Sequence, residues 1–236
     1  MKFNPASLLL LATTATSSYT YERLDKNDTL LVILDLQEGL FSLARDYDPI
    51  LYRNAIYAHA ELGKVFDLPV ILTTSAETGP NAPLPNEFIE WYPDAPFIKR
   101  NGEVNAWDNP QFREAVIAAN KSQIILGGIT TDVCTAFLAL SLREAGYKVY
   151  ANQEASGTTT DLIRNEANNR MRDAGVQILS YFAIVCELMR DWRNTPGAVE
   201  LFPILDKYYP AYGMLARGHR AAVENGTVAP GEDILP

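Results

Sequence analysis

The stretch LLVIL at residues 30–34, followed by Asp35, decides the predicted fold. It is short, apolar throughout and β-branched at its centre, which is typical of a strand covered on both faces. A helical pattern of apolar residues then runs over residues 49–66, and VILT follows at residues 70–73. Strand, helix and strand in this order predict one βαβ unit with parallel strands.

The same alternation continues towards the C-terminus. Further strands are predicted at residues 123–126, 148–151 and 176–179, and helices at residues 110–119, 134–145, 161–174 and 182–192. We therefore expect an α/β fold of three layers, α/β/α, in which helices cover both faces of a central, mostly parallel, Rossmann-like sheet.

Two stretches interrupt this pattern. Residues 75–107 are polar and rich in proline, which predicts a long functional loop over the site. From about residue 195 prolines recur, and we expect an irregular C-terminal tail that wraps the surface or reaches a neighbouring subunit. A chain of 236 residues otherwise predicts a single domain over residues 19–236.

Residues 1–18 form a separate segment in this interpretation. Lys2 precedes an apolar run at residues 8–12 and then small residues, which is typical of a short secretory signal peptide. The expected location is therefore outside the cell. The alternative is a flexible N-terminal arm on a cytoplasmic protein. No stretch of the sequence approaches the roughly 20 apolar residues that a membrane span needs.

Composition argues against several classes of partner and cofactor. The 20 basic and 29 acidic residues give a net charge of -9 without a Lys/Arg-rich block, which disfavours nucleic acid and anionic membranes as partners. The first strand runs into DLQEGLF rather than a Gly-x-Gly-x-x-Gly turn, so a dinucleotide is not expected. Two cysteines, Cys134 and Cys186, do not make a disulfide framework.

Three segments lie where ligands bind in open parallel sheets, beyond the carboxyl ends of the strands: Asp35, residues 73–75 and GGITTDVC. Asp35 follows the first strand, where partial burial would raise its pKa and suit it as a general base. A structural capping acid is the alternative. Cys134, the last residue of GGITTDVC, is predicted to open a helix whose N–H groups favour the thiolate and can hold an oxyanion. A buried structural thiol is the alternative there.

Several separate segments, in order, resemble one known family. They are DLQEGLF around Asp35, LTTSAETGPNAPLP after the second strand, PFIKRNGEVNAWDN around Lys99, GGITTDVC, ASGT at residues 155–158 and CELMRDWRN near Cys186. Together they resemble the isochorismatase-like cysteine hydrolase superfamily, and most of all its YcaC-type branch. The resemblance implies a catalytic triad of Asp35, Lys99 and Cys134, although Lys99 by itself would pass as an ordinary surface lysine.

The resemblance implies further features of the site. The peptide bond between Ile129 and Thr130 is expected to be cis and to turn the N–H groups of Thr130 and Cys134 towards an oxyanion. Gln37 and Trp107 match family positions near the substrate pocket, without a firm role.

The expected chemistry needs no metal and no cofactor. Metal-dependent nicotinamidases of this superfamily carry histidines in the loop after the second strand, whereas TSAETGPNAPLP contains none. We therefore predict a cysteine hydrolase that cleaves a small amide or related C–N bond through a thioester acyl-enzyme. The alternatives are vinyl-ether hydrolysis of the isochorismatase type and a secreted, non-catalytic binding protein on the same scaffold. The family resemblance also implies a homo-oligomer, either a tetramer or an octamer.

Overall fold

A six-stranded sheet, parallel throughout, forms the centre of the molecule in the computed structural model, which describes residues 20–231. The predicted signal peptide at residues 1–18 therefore lies outside the described residues. In chain order the strands are β1 (Thr29–Leu34), β2 (Val70–Ser75), β3 (Phe97–Arg100), β4 (Gln123–Gly128), β5 (Lys148–Asn152) and β6 (Gln177–Leu179).

The strand order across the sheet is β3-β2-β1-β4-β5-β6. Strands β2 and β3 therefore lie on one side of β1, and β4, β5 and β6 lie on the other. In this arrangement a crevice opens between the carboxyl ends of β1 and β4, where ligands bind in folds of this class. Leu34 and Gly128 are register partners at the ends of these two strands. The segments that follow them, which begin with Asp35 and lead to Cys134, therefore face the same crevice.

Eight helices cover the sheet within the described residues. They are α1 (Pro49–Phe66), α2 (Asn86–Trp91), α3 (Pro110–Ala118), α4 (Ala136–Glu144), α5 (Asp161–Asp173), α6 (Tyr181–Met189), α7 (Ala198–Tyr208) and α8 (Pro210–Glu224). None of the helices in this part of the chain is long and apolar enough to cross a bilayer.

Strand β1 shows how the two faces are filled. Its side chains alternate between two apolar clusters, so that Leu31 and Ile33 join α1, α6 and α7, whereas Leu30, Val32 and Leu34 join α3, α4 and α5. All six residues of β1 are buried. The predicted three-layer α/β/α fold with a parallel sheet is therefore confirmed.

The longest helix, α1, shows how the sequence sets a helix boundary. The Asp48 side chain accepts hydrogen bonds from the N–H groups of Ile50, at 2.9 Å, and Leu51, at 3.1 Å. Pro49 occupies the first helical position, where its missing N–H costs nothing. The helix ends at Asp67, which adopts a left-handed conformation with a φ of 52°.

Both stretches predicted to be irregular contain regular structure. Residues 75–107 include α2 and β3, and the prediction of an irregular tail from about residue 195 is wrong, because α7 and α8 occupy most of it. In α7 the buried residues Leu201, Leu205 and Tyr208 recur at helical spacing, and this packing holds the helix together despite Pro203 in its interior. Pro210 is the first residue of α8, a position that proline favours.

Candidate active site

Asp35 is a fully buried acid directly after β1. Its backbone N–H donates to the carbonyl oxygen of Thr73 at the end of β2, at 3.0 Å, and its φ of 52° lies in the left-handed region. Aspartate tolerates this region better than most residues, and such conformations concentrate at functional sites. One carboxylate oxygen, Oδ1, pairs with the guanidinium group of Arg100. The other, Oδ2, is buried and is not paired with Arg100.

Arg100, the last residue of β3, neutralises Asp35. Both side chains have no solvent exposure. The other two guanidinium nitrogens also donate, because Nε bonds Thr73 Oγ1 at 3.0 Å and Nη1 bonds the carbonyl oxygens of Glu103 and Val104. A buried guanidinium group is stable only when it is paired and its donors are satisfied, and Arg100 meets both conditions.

The structure does not bring Lys99 to Asp35 and Cys134. The Lys99 side chain is 57% exposed, and its Nζ lies 2.6 Å from Oε1 of Glu77. Successive side chains of a strand point to opposite faces, so Lys99 and its neighbour Arg100 cannot both face Asp35. The cation beside Asp35 is therefore Arg100. Ile98, two residues before Arg100, is buried, and residues two apart in a strand share a face. This alternation identifies Arg100 as the basic residue that points inward.

Cys134 lies in a turn of π-helix, Thr131–Thr135, that leads into α4. The predicted helix therefore begins with a wider turn, a feature that is frequent at functional sites. The thiol is partly buried and lies against the Asp35 carboxyl group. The backbone N–H of Thr130 also points at the sulfur, and this hydrogen bond favours the thiolate.

The surroundings of Cys134 act on the pKa of its thiol in opposite directions. Burial, and after it the Asp35 carboxylate, raises the pKa of the Cys134 thiol to about 12, which outweighs the opposing effects of Arg100 and the Thr130 N–H. Burial also raises the pKa of Asp35, although the guanidinium group of Arg100 opposes this shift. Burial therefore outweighs the helix start, which by itself favours the thiolate. The thiol of raised pKa lies beside a buried acid whose pKa is also raised.

The segment before Cys134 contains the peptide bond between Ile129 and Thr130, which is cis. Ile129 is fully buried in the apolar core. The carbonyl oxygen of Thr130 accepts hydrogen bonds from the N–H groups of Val133, at 3.3 Å, and Thr135, at 3.1 Å. These bonds close the turn around Cys134.

Gln37 holds the loop that follows β2. Its side chain is fully buried, its Oε1 accepts from the N–H of Ser75 at 2.8 Å, and its Nε2 donates to the carbonyl oxygens of Ser75 and Ala82. All three contacts join the ends of this loop, so the amide is occupied by the protein. Trp107 packs against the same apolar cluster as Cys134 and meets the ring of Tyr147 edge to face, at 6.2 Å between centroids.

Residues 156–158, part of the ASGT motif, contact residues 128–132, just before Cys134, at three successive points. Ser156 Oγ accepts from the Gly128 N–H at 3.3 Å, the Gly157 carbonyl oxygen accepts from the Thr131 N–H at 3.0 Å, and Thr158 Oγ1 donates to Asp132 Oδ1 at 2.7 Å. The sequence identified this motif only as part of a resemblance. Its position in the loop that follows β5 is the signal that could have placed it at the site.

Neither the site nor the rest of residues 20–231 contains three His, Cys, Asp or Glu side chains placed to hold a metal ion. His59 belongs to the core, where its Nε2 lies 3.1 Å from the carbonyl oxygen of Val32. Burial lowers the pKa of its ring to about 4.

The fold and the arrangement of the site define a parallel α/β protein with a buried acid beside a cysteine at the carboxyl edge of its sheet. Residues 29–181 match the family profile of the isochorismatase domain. The probable hydrolase YcaC of Escherichia coli (strain K12) is 49% identical over 183 residues, which cover 77% of this chain and 88% of that protein. The chain therefore belongs to the isochorismatase family, in its YcaC branch, and the predicted resemblance is confirmed.

Two solved structures share both the fold and much of the sequence. YcaC from Pseudomonas aeruginosa, described with hexane-2,5-diol and covalent acrylamide, is 46% identical with a TM-score of 0.82, over 85% of this chain and 98% of that one. The E. coli YcaC structure, described as an octameric hydrolase of unknown specificity, is 45% identical with a TM-score of 0.83, over 86% of this chain and 99% of that one.

Proposed function

We propose that this chain is a metal-independent cysteine hydrolase that cleaves a small amide or a related C–N bond. The observation that carries the proposal is the contact between the Cys134 thiol and the buried, Arg100-paired carboxyl group of Asp35. A nucleophile within reach of a base, with the base oriented by a third group, is the arrangement that covalent catalysis requires. Arg100 takes the part that the sequence assigned to Lys99.

The first half of the reaction forms the acyl-enzyme. Asp35 takes the thiol proton through Oδ2, the oxygen that is not paired with Arg100, as the sulfur of Cys134 attacks the substrate carbonyl carbon. The carbonyl electron pair moves to oxygen, and the N–H groups of Thr130 and Cys134 receive the resulting oxyanion. When the pair returns, the C–N bond breaks, the nitrogen leaves with the proton from Asp35, and a thioester remains.

The second half regenerates the thiol. Asp35 removes a proton from water as the water oxygen attacks the thioester carbonyl carbon, and collapse of the intermediate breaks the C–S bond. The sulfur regains its proton from Asp35, and the product is a carboxylic acid. Throughout, the positive charge of Arg100 balances the negative charge that the buried Asp35 carboxylate carries.

Replacement of Cys134 tests the proposal directly. A panel of small primary and secondary amides, assayed for released ammonia or amine, should give a substrate for the wild-type protein. Cys134→Ala and Cys134→Ser should then lose at least about 1,000-fold in kcat, because both remove the nucleophile that forms the thioester. Cys186→Ser is the matched control and should keep full activity. Hydrolysis that persists in Cys134→Ala would contradict the mechanism.

Assembly and export are two further proposals for the same chain. We propose a homo-oligomer, supported by the octamer described for E. coli YcaC and by the exposed apolar residues Met214 and Leu215 on α8. Sedimentation velocity would refute it by showing a monomer.

We also propose that residues 1–18 are a cleaved secretion signal, which N-terminal sequencing of the mature protein checks.

A further inference from the structure

Thr158 connects the nucleophile turn to two other loops at the same edge of the sheet. The loop after β5 carries Thr158, the loop after β1 carries Asp46, and the turn after β4 carries Asp132. The Oγ–H of Thr158 donates to Asp132 Oδ1 at 2.7 Å, two residues before Cys134. The Thr158 side chain is therefore a direct link to the segment that holds the sulfur.

Thr158 is itself fixed on both sides of its backbone. Its N–H donates to Oδ1 of Asp46 at 2.8 Å, and its carbonyl oxygen accepts from the N–H groups of Arg45, at 2.8 Å, and Asp46, at 3.2 Å. With both backbone groups held in this way, the Thr158 residue is 1% exposed and cannot shift independently of this loop.

Asp46 is in turn held by a cation. Arg164 on α5 donates from Nη1 to the carbonyl oxygen of Asp46 at 2.9 Å and to its Oδ2 at 3.3 Å. The Asp46 side chain is fully buried, and Arg164 supplies the positive charge that balances its carboxylate. Arg164 also lies over the ring of Tyr47, 4.7 Å from its centroid, which fixes the guanidinium group.

We infer that Thr158 is a positioning residue for Cys134: held by Asp46 and Arg164, it fixes Asp132 and thereby the turn that aims the sulfur at Asp35. This inference rests on the proposed function, because it assigns Thr158 a part in the same reaction. The neighbouring contacts of Ser156 and Gly157 hold Gly128 and Thr131, but only Thr158 acts through a side-chain donor on the turn itself.

Acrylamide is the probe for the test, and mass spectrometry of peptides follows its addition to Cys134 and to Cys186 in the same sample. Thr158→Val keeps the shape of the side chain but removes the donor. We expect the maximal rate of addition to Cys134 to fall about tenfold, with the half-saturating acrylamide concentration and the Cys186 rate unchanged, since one oriented hydrogen bond is lost.

Four companion variants separate positioning from stability. Thr158→Ser keeps the donor and loses a buried methyl group, so the protein should unfold at a lower denaturant concentration yet keep the Cys134 rate within about twofold of wild type. Thr159→Val makes the same change at an exposed neighbour whose side chain has no hydrogen bond in the described residues, and should alter neither property. Asp132→Ala should reproduce the loss, and adding Thr158→Val to it should lower the rate no further.

Each outcome decides between the inference and the proposed function. A Cys134 rate that Thr158→Val leaves unchanged, or that Thr158→Ser lowers equally, would overturn the inference alone. An equal fall at Cys186 would also overturn it, because it would mean general loosening. If wild-type Cys134 reacts no faster than Cys186, the proposed function fails, and the inference fails with it because no reactive thiol is left to position.

Discussion

Arg100→Ala should lower the free energy of unfolding by about 3–5 kcal/mol, the range measured when one partner of a buried ion pair is removed. The variant leaves the Asp35 carboxylate buried without its cation and leaves the carbonyl oxygens of Glu103 and Val104 without a donor. Hydrolysis should also disappear, because Asp35 without its cation holds its proton more tightly and no longer serves as a base. Urea unfolding and the amide assay measure the two effects.

Lys99→Ala is the matched control on the same strand. It removes an ion pair in which the Lys99 side chain is 57% exposed. The free energy of unfolding should therefore change by less than about 1 kcal/mol, and hydrolysis should persist. Arg100→Lys keeps a positive charge near Asp35 but not the planar set of donors. Its free energy of unfolding and its activity should lie between those of Arg100→Ala and Lys99→Ala. If Lys99→Ala abolished activity while Arg100→Ala did not, the assignment of the cation beside Asp35 would be wrong.

Asp35→Asn should slow acrylamide addition to Cys134 at pH 7 by at least about 100-fold, the usual contribution of a general base. At this pH the thiol, whose pKa is about 12, needs an acceptor for its proton, and the amide of asparagine is not one. The wild-type rate should fall as the pH drops through the pKa of Asp35, which burial raises above its ordinary value of 3.8. The variant should lack this acid limb and gain rate only at alkaline pH.

The alternative role of Asp35 predicts the opposite result. If the carboxylate only disfavoured the thiolate by like charge, its removal would lower the pKa of Cys134 and speed the addition of acrylamide at pH 7. Glu77→Gln is the control, because Glu77 is a carboxylate near the end of β2 that pairs with Lys99 rather than with the thiol. It should leave the pH profile as in wild type.

Much of the fold followed from apolar patterns, and the misses have physical reasons. The parallel strands are short buried runs that periodicity detects, whereas β3 is four residues long and ends in two basic residues. Proline was given too much weight in the tail. In α7, tertiary contacts such as the burial of Leu201 and Leu205 hold a helix that contains Pro203, and local propensity does not report such contacts.

The sequence predicted which loops carry the candidate site, but not which side chains make contact within it. Asp35 and Cys134 both follow buried strands, so their meeting at the sheet edge was predictable. The choice between Lys99 and Arg100 needed the face of β3, which sequence spacing alone left open. The charge state of Cys134 depends on burial and on the nearby Asp35 carboxylate, and both arise only after β1 and β4 pair.

The raised thiol pKa has a consequence for survival between turnovers. Peroxides and disulfides attack thiolates, and they attack protonated thiols far more slowly. A pKa of about 12 leaves Cys134 almost entirely protonated at neutral pH. In the proposed mechanism the sulfur loses this proton only as it attacks a substrate, so we expect peroxide to oxidise the resting protein more slowly than it would a permanently ionised nucleophile.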